Sequence, residues 1–364
     1  MAPSNASASA RTALTAVRVF DGQRLTEPCT VVIDGDVIGT DPSGARVIRA
    51  EGAVLLPGLI DAHVHLHGRD TLEQFATWGV TTGLDMATWP AELLTSLRGI
   101  AGASGLADLR SSGLPAIGPD GPHSRIPNIP SEAVVTSPEQ ARRFVADRVA
   151  EGADYIKAVA EAPGRGGLSQ DVLNALVRAA REQGRKTVVH AASPGAYTMA
   201  VRTGADMITH IPVDRPLPDE EIARMKAVGQ VVIPTLSMME GIAAGAPLSA
   251  ALHSVAALRK AGIPVLAGTD ANSQPGVPFR VRHGESIHHE LELLVAAGLS
   301  PVEALRAATV LPARHFGLED RGAVTPGLRA DLLLVDGDPT TDIRATRQVR
   351  AVWTAGQEIS AATN

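Results

Sequence analysis

The sequence predicts an α/β fold, a (β/α)8 TIM barrel with a small β-sandwich domain formed from both chain termini. Three observations predict it. Through the middle of the 364 residues, eight short apolar runs alternate with helix-like segments. Both ends of the chain read instead as strands joined by hairpin turns. The composition is 45% hydrophobic but only 3% aromatic, with 35 Gly and 25 Pro, which suits short aliphatic strands broken by turns. The expected division is a flexible start (1–12), a composite β domain (13–56 plus 318–364) and a catalytic barrel (57–317).

Each element has its own signal. Near the N-terminus, Ala16-Val17-Arg18-Val19-Phe20 is followed by Asp21-Gly22, and Thr30-Val31-Val32-Ile33 by Asp34-Gly35; Asp-Gly between alternating apolar runs marks a hairpin. Ala330–Val335 before Asp336-Gly337, and Val349–Trp353 before Ala355-Gly356, repeat this at the C-terminus. Barrel strands are expected at 54–66, 81–86, 109–117, 154–160, 186–191, 206–211, 230–236 and 264–270. Helices are expected at 71–78, 91–101, 138–150, 170–182, 194–203, 219–227 and 248–261, then near 285–297 and 301–308. The helix at 138 carries the plainest start, a Ser137 cap with Pro138 in the first position.

Composition excludes some classes. The charge of −6, from 33 basic and 39 acidic residues with no basic block, argues against nucleic acid as partner. A single cysteine, Cys29, permits no internal disulfide and fits a reducing, cytoplasmic setting. No apolar run approaches the roughly 20 residues of a membrane span, and residues 1–12 lack the apolar core of a signal peptide. The expected partner is a small-molecule substrate, with a homo-oligomer left open.

Histidine placement points to chemistry. His63 and His65 end the first barrel strand two residues apart, so both project from one face. His190, His210 and Asp270 each close a later apolar run, at the strand ends where barrel active sites are built. Any one alone reads as a hydrogen-bonded structural residue; together they read as a cation site. Lys157 interrupts the apolar run Tyr155-Ile156-Lys157-Ala158-Val159, where a lysine either reaches solvent or serves the site. Asp61 shares the face of His63 and His65, and either orients an imidazole or caps the turn.

The set His63, His65, Lys157, His190, His210 and Asp270 resembles the amidohydrolase superfamily with a binuclear metal centre, in its imidazolonepropionase-related and prolidase-like branch. Similar segments include Pro57-Gly58-Leu59-Ile60-Asp61, Leu266–Asp270, Ser300–Leu305 and Gly327–Leu332, so the resemblance covers nearly the whole chain from about Ala13. It implies that His63, His65 and Asp270 hold one metal and His190 and His210 the other. Lys157, carbamylated by carbon dioxide, would bridge them as an anionic ligand. Zinc is expected, with manganese, cobalt or nickel as alternatives. The implied reaction is attack by a metal-bridging hydroxide on an amide C–N bond, with Asp270 shuttling the proton. The substrate would be small and carboxylate-bearing, such as an N-acyl amino acid or dipeptide.

His123, Arg125 and His283 are the candidates for binding that carboxylate; the first two lie on the loop after strand three, where relatives place such a histidine. The segment 272–289, with Arg280, Arg282, His283, His288 and His289, reads as a lid or as ordinary basic surface. His67, His253 and His315 read as structural. Ala191-Ala192 follows His190 where dipeptide-cleaving relatives often carry an aromatic, which argues against a strict dipeptidase. Lactone and cyclic-amide hydrolysis stay open, while Lys157 argues against a one-metal deaminase. A non-catalytic assembly protein would have shed ligands, and all six are present.

Overall fold

In the computed structural model, residues 11–103, 105–274 and 279–359 are described. The N-terminal region forms β1 (Thr12–Val19), β2 (Cys29–Asp34), β3 (Val37–Gly39), β4 (Arg46–Arg49) and β5 (Ala53–Pro57). Along the middle of the chain run β6 (Leu59–Val64), β7 (Val80–Asp85), β8 (Asp108–Ser111), β9 (Ile156–Val159), β10 (Thr187–His190), β11 (Met207–Thr209) and β12 (Val231–Ile233). The C-terminus adds β13 (Leu332–Asp336), β14 (Val349–Thr354) and β15 (Gln357–Ile359).

Strands from the two ends pair as expected, in the order β15-β14-β13-β5-β1-β2-β3 with β4 beside β1. This pairing does not confirm the expected sandwich: the strands follow one continuous hydrogen-bonded path. The reason lies in β1. Its first half pairs with β4 and its end with β5, and its register shifts between Leu14 and Val17, where Ala16 adopts φ 56°. A strand that changes partner at an irregularity turns the sheet without ending it. Leu14, Val17, Ile33, Leu55, Leu332, Leu334 and Trp353 form its own buried core. Of the flexible start expected over 1–12, Thr12 belongs to β1 and residues 1–10 lie outside the described residues.

The middle strands are all parallel, in a three-stranded sheet β6-β7-β8 and a four-stranded sheet β12-β11-β10-β9. Isolated parallel bridges link Ala116 to Ala158, Val232 to Val265 and Val64 to Ala271. Two expected strands are corrected here. The third stops at Ser111, because Gly113 (φ 61°) and Pro115 break the ladder before Ala116 rejoins at Lys157 O. The eighth, 264–270, forms no ladder. It is held by single contacts such as Ala62 N to Ala267 O (2.9 Å) and Asp270 N to His63 O (2.8 Å). At Gly268 an added Cβ would stand 2.5 Å from Ile233 Cγ2, so the segment packs closely there, and the left-handed Asp270 (φ 59°) ends the extended run.

Strand faces alternate with period two. Ile156, Val189, Ile208, Val232 and Ala267 pack in the large core with the helices. Tyr155, Val188, Met207, Val231 and Leu266 join Ile60, Ala62 and Leu84 in a second cluster on the opposite side. The helices are α1 (Arg69–Thr77), α2 (Ala91–Ile100), α3 (Pro138–Ala150), α4 (Gln170–Glu182), α5 (Pro194–Thr203), α6 (Asp219–Val228), α7 (Leu236–Ile242), α8 (Ser249–Lys260), α9 (Glu285–Ala296), α10 (Pro301–Ala307) and α11 (Val310–Phe316). Ser137, Ser169, Ser193 and Ser300 cap α3, α4, α5 and α10, each accepting a backbone N–H. The sequence reading missed α7 and α11. The strand expected over 230–236 ends at Ile233, because the chain turns at Thr235 (φ 48°) into α7. Among the described residues no helix is long and apolar enough to cross a membrane.

Candidate metal centre

The ends of β6, β9, β10 and β11 and the segment after Gly268 converge on one point. Ligating atoms of His63, His65 and Asp270 all lie within 4.8 Å of one another. Asp270 Oδ1 is 3.0 Å from His65 Nε2 and 3.4 Å from His63 Nε2, and Oδ2 is 3.8 Å from His210 Nδ1. His210 Nε2 faces His190 Nδ1 at 2.8 Å. Asp270 carries its carboxylate on a left-handed residue, a conformation Asp adopts more readily than most and one that collects at functional sites.

Hydroxyls fix the imidazoles from behind. His63 Nδ1 pairs with Thr209 Oγ1 at 2.7 Å, and His210 Nδ1 with Thr235 Oγ1 at 2.6 Å. Each ring thereby turns its Nε2 toward the cluster, the arrangement of a metal ligand held by a partner on its other nitrogen. Asp61 accepts from His63 N, Thr269 N and Thr269 Oγ1, so it ties β6 to the Asp270 segment rather than touching an imidazole. Asp85 at the end of β7 accepts from Leu66 N and Ala87 N, and Ala87 O lies 3.5 Å from His65 Nδ1. Glu290 of α9 accepts from Leu236 N and Ser237 N and holds the start of α7 next to Thr235. Thr209 adjoins a recognised ligand in sequence and was open to detection; Thr235, Asp85 and Glu290 carried no local signal.

Protonation leaves most of these donors open to a cation; His65 is the exception, its burial outweighed by Asp270 and Asp85, which raise it. Burial lowers His63 and His190 well below the ordinary histidine range and His210 to about 3, leaving neutral rings with lone pairs. Burial also lowers Lys157, to about 7, against the pull of Asp270 and Asp85. Burial opposes ionisation of Asp270, but its hydrogen bond with His65 and the nearby basic groups outweigh that and keep it below the usual carboxylate range. Lys157 Nζ is buried without a hydrogen-bond partner, and Asp270 Oδ1 has only the imidazole nitrogens of His65 and His63 beside it. Such orphaned groups are costly unless something binds them, so this donor set fits divalent cations.

The cluster floors a cavity of about 880 Å³. His123 and Arg125, on a short 3-10 turn at 122–125, line it as the sequence placed them. Glu161 also lines it and was not foreseen. His283 is corrected. It packs against Phe75 and His67, and its Nε2 meets His65 O at 2.8 Å, outside the cavity lining. His288 is buried between Trp78 O and Thr346, His289 pairs with Glu240, and Arg282 pairs with Glu285. Of the segment read as a lid or surface, 275–278 lie outside the described residues; Asn272 and Gln274 line the cavity.

The family model for the amidohydrolase family matches residues 54–359. An uncharacterized protein of Mycobacterium tuberculosis is 33% identical over 339 residues, which cover 85% of each chain. The adenine deaminase of Methanothrix thermoacetophila is 27% identical over 362 residues, covering 94% of this chain but only 56% of the deaminase. Among solved structures, a putative prolidase from Bifidobacterium longum matches with a TM-score of 0.81 and 25% identity, over 98% of this chain and 96% of the prolidase. The chain belongs to the amidohydrolase family. Its family and site together make it a metal-dependent hydrolase acting on C–N bonds.

Proposed function

We propose that the protein hydrolyses an amide C–N bond in a small, carboxylate-bearing molecule such as an N-acyl amino acid or a dipeptide. The observation that carries this reading is the buried, unpartnered Lys157 Nζ set among four histidines and Asp270. In this reading His63, His65 and Asp270 would hold one divalent ion, and His190 Nδ1 and His210 Nε2 a second. Carbamylated Lys157 would join the two; burial supports this by keeping the amine neutral enough to react with carbon dioxide. Zinc suits the imidazole and carboxylate donors. When bound, the metals supply Lewis acidity and lower the pKa of water.

The chain's own residues do the rest. In this reading Asp270 takes a proton from the attacking water and returns it to the departing amine. Trp89, Ile117, Ile129 and Val159 give the cavity apolar walls that keep out bulk water. His123 and Arg125 face the substrate carboxylate. The strand ends cooperate as they would in a (β/α)8 barrel, with 264–270 as its eighth stave; the bridges at Val265 and Ala271 support that arrangement. The similarity to an adenine deaminase favours a second reading, deamination on the same donors.

Metal analysis followed by a hydrolysis screen decides between them. The panel holds N-acyl amino acids, dipeptides, their neutral amide analogues, lactones, cyclic amides and adenine. Two divalent ions per chain and faster cleavage of the carboxylate-bearing amides are expected. One ion per chain after growth in excess metal and bicarbonate, or preference for adenine or lactones, would overturn the reading.

A further inference from the structure

We infer that Glu161 is a positioning residue: it fixes the ring of His123 so that Nδ1–H donates to Glu161 and Nε2 is presented to the substrate. Glu161 stands four residues beyond Lys157, just past the end of β9. Its Oε1 lies 2.6 Å from His123 Nδ1 and accepts the backbone N–H of His123 at 3.5 Å. One carboxylate oxygen therefore clasps both the ring and the main chain of His123. A carboxylate only accepts, so Nδ1 must carry the hydrogen and Nε2 alone remains for a ligand. The ring also packs edge-on against His190 with centroids 4.6 Å apart, which sets it beside the metal cluster.

The loops that carry the pair are built to meet. Gly167 N donates to Pro119 O at 2.8 Å. A Cβ on Gly118 would stand 1.7 Å from the carbonyl carbon of Gly167, and one on Gly166 (φ 81°) 2.5 Å from that of Asp120. On Gly167 (φ 92°) it would stand 2.6 Å from Glu161 Cβ. Only glycine permits this approach, at a cost in chain entropy. That cost brings a carboxylate from the loop after β9 onto a histidine from the loop after β8.

The kinetic part of the test rests on the proposed function; the spectroscopic part does not. In metal-loaded protein with 15N-labelled histidine, NMR should show one Nδ1–H histidine that disappears in His123→Ala. Glu161→Ala should shift that ring toward its Nε2–H form, while Glu161→Gln, whose amide oxygen still accepts, should keep the wild-type signal. With N-acyl amino acids or dipeptides as substrates, His123→Ala and Glu161→Ala should each raise KM by about 10- to 100-fold, the range of one lost charge-assisted hydrogen bond, with a smaller change in kcat. The double variant should be no worse than either single one. Additive losses, an unchanged Nδ1–H signal in Glu161→Ala, or equal damage from Glu161→Gln at wild-type metal content would overturn the inference. If the wild type cleaves none of these substrates, the proposed substrate class falls and the NMR result still decides the role of Glu161.

Discussion

Lys157 is the side chain whose chemistry depends most on its surroundings. Its amine is buried, lacks a partner and is lowered to about 7 by burial, so at neutral pH a large fraction is uncharged. Lys157→Ala should lose most activity and part of the bound metal, measured by turnover and metal analysis, and acetate or propionate should restore some of both. Full activity in that variant would show that the lysine is not a ligand. Asp270 permits a sharper test. Asparagine keeps the shape and one oxygen but cannot accept and return a proton, so Asp270→Asn should retain its fold while kcat falls on the order of 10²–10⁴-fold. Near-normal turnover in a metal-loaded variant would exclude the proton role. The candidate ligand residues were legible in the sequence because each ends or interrupts an apolar run. Glu161 was not, because its partner His123 lies 38 positions away.

Among the elements, α9 has the clearest dependence on pH. His288 is fully buried, with Nε2 on Trp78 O and Nδ1 on Thr346 Oγ1, and burial lowers it to about 3. A depressed folded pKa means the unfolded chain takes up the proton first. The contribution of His288 to stability is therefore complete above about 6.5 and is lost progressively as pH falls toward about 3, at no more than about 1.4 kcal/mol per pH unit. His288→Gln should be less stable at pH 7, yet lose less stability than the wild type between pH 7 and pH 5 in urea titrations. Parallel stability–pH curves would show that His288 does not titrate on unfolding. The sequence placed α9 within two residues but said nothing of what its histidines touch. His283, read there as a substrate ligand, is spent on the backbone of His65.

For the whole molecule, the proposed ligands come from five places between positions 63 and 270, so bound metal should fasten the strand ends together. The composite sheet is joined to the parallel strands independently of that centre. Arg321, buried, reaches Asp108 at 2.7 Å and Asp331 at 3.6 Å, and donates to Thr82 Oγ1 at 2.9 Å. A ligand that binds only the folded state stabilises it by mass action. Removing metal with a chelator should lower Tm in differential scanning calorimetry without unfolding the protein at 25 °C, and adding back zinc should restore it. An unchanged Tm in metal-stripped protein would mean that the protein holds no ion whose binding favours the folded state.

The sequence by itself determined the α/β class, the pairing of both termini in one sheet, most helix boundaries and the set of polar residues at strand ends. These are local properties: apolar period, serine caps, Asp-Gly turns and the abrupt end of an apolar run. Tertiary structure decided what depends on distant backbone meeting. It set the single path of the terminal sheet through the irregular β1, and the single bridges of the eighth segment, which ends at the left-handed Asp270. It also decided which nitrogen His63 and His210 turn inward, because Thr209 and Thr235 reach those rings from other segments. A residue's type and period are written in its neighbours along the chain, whereas its hydrogen-bond partner is fixed only when packing brings two segments within about 3 Å.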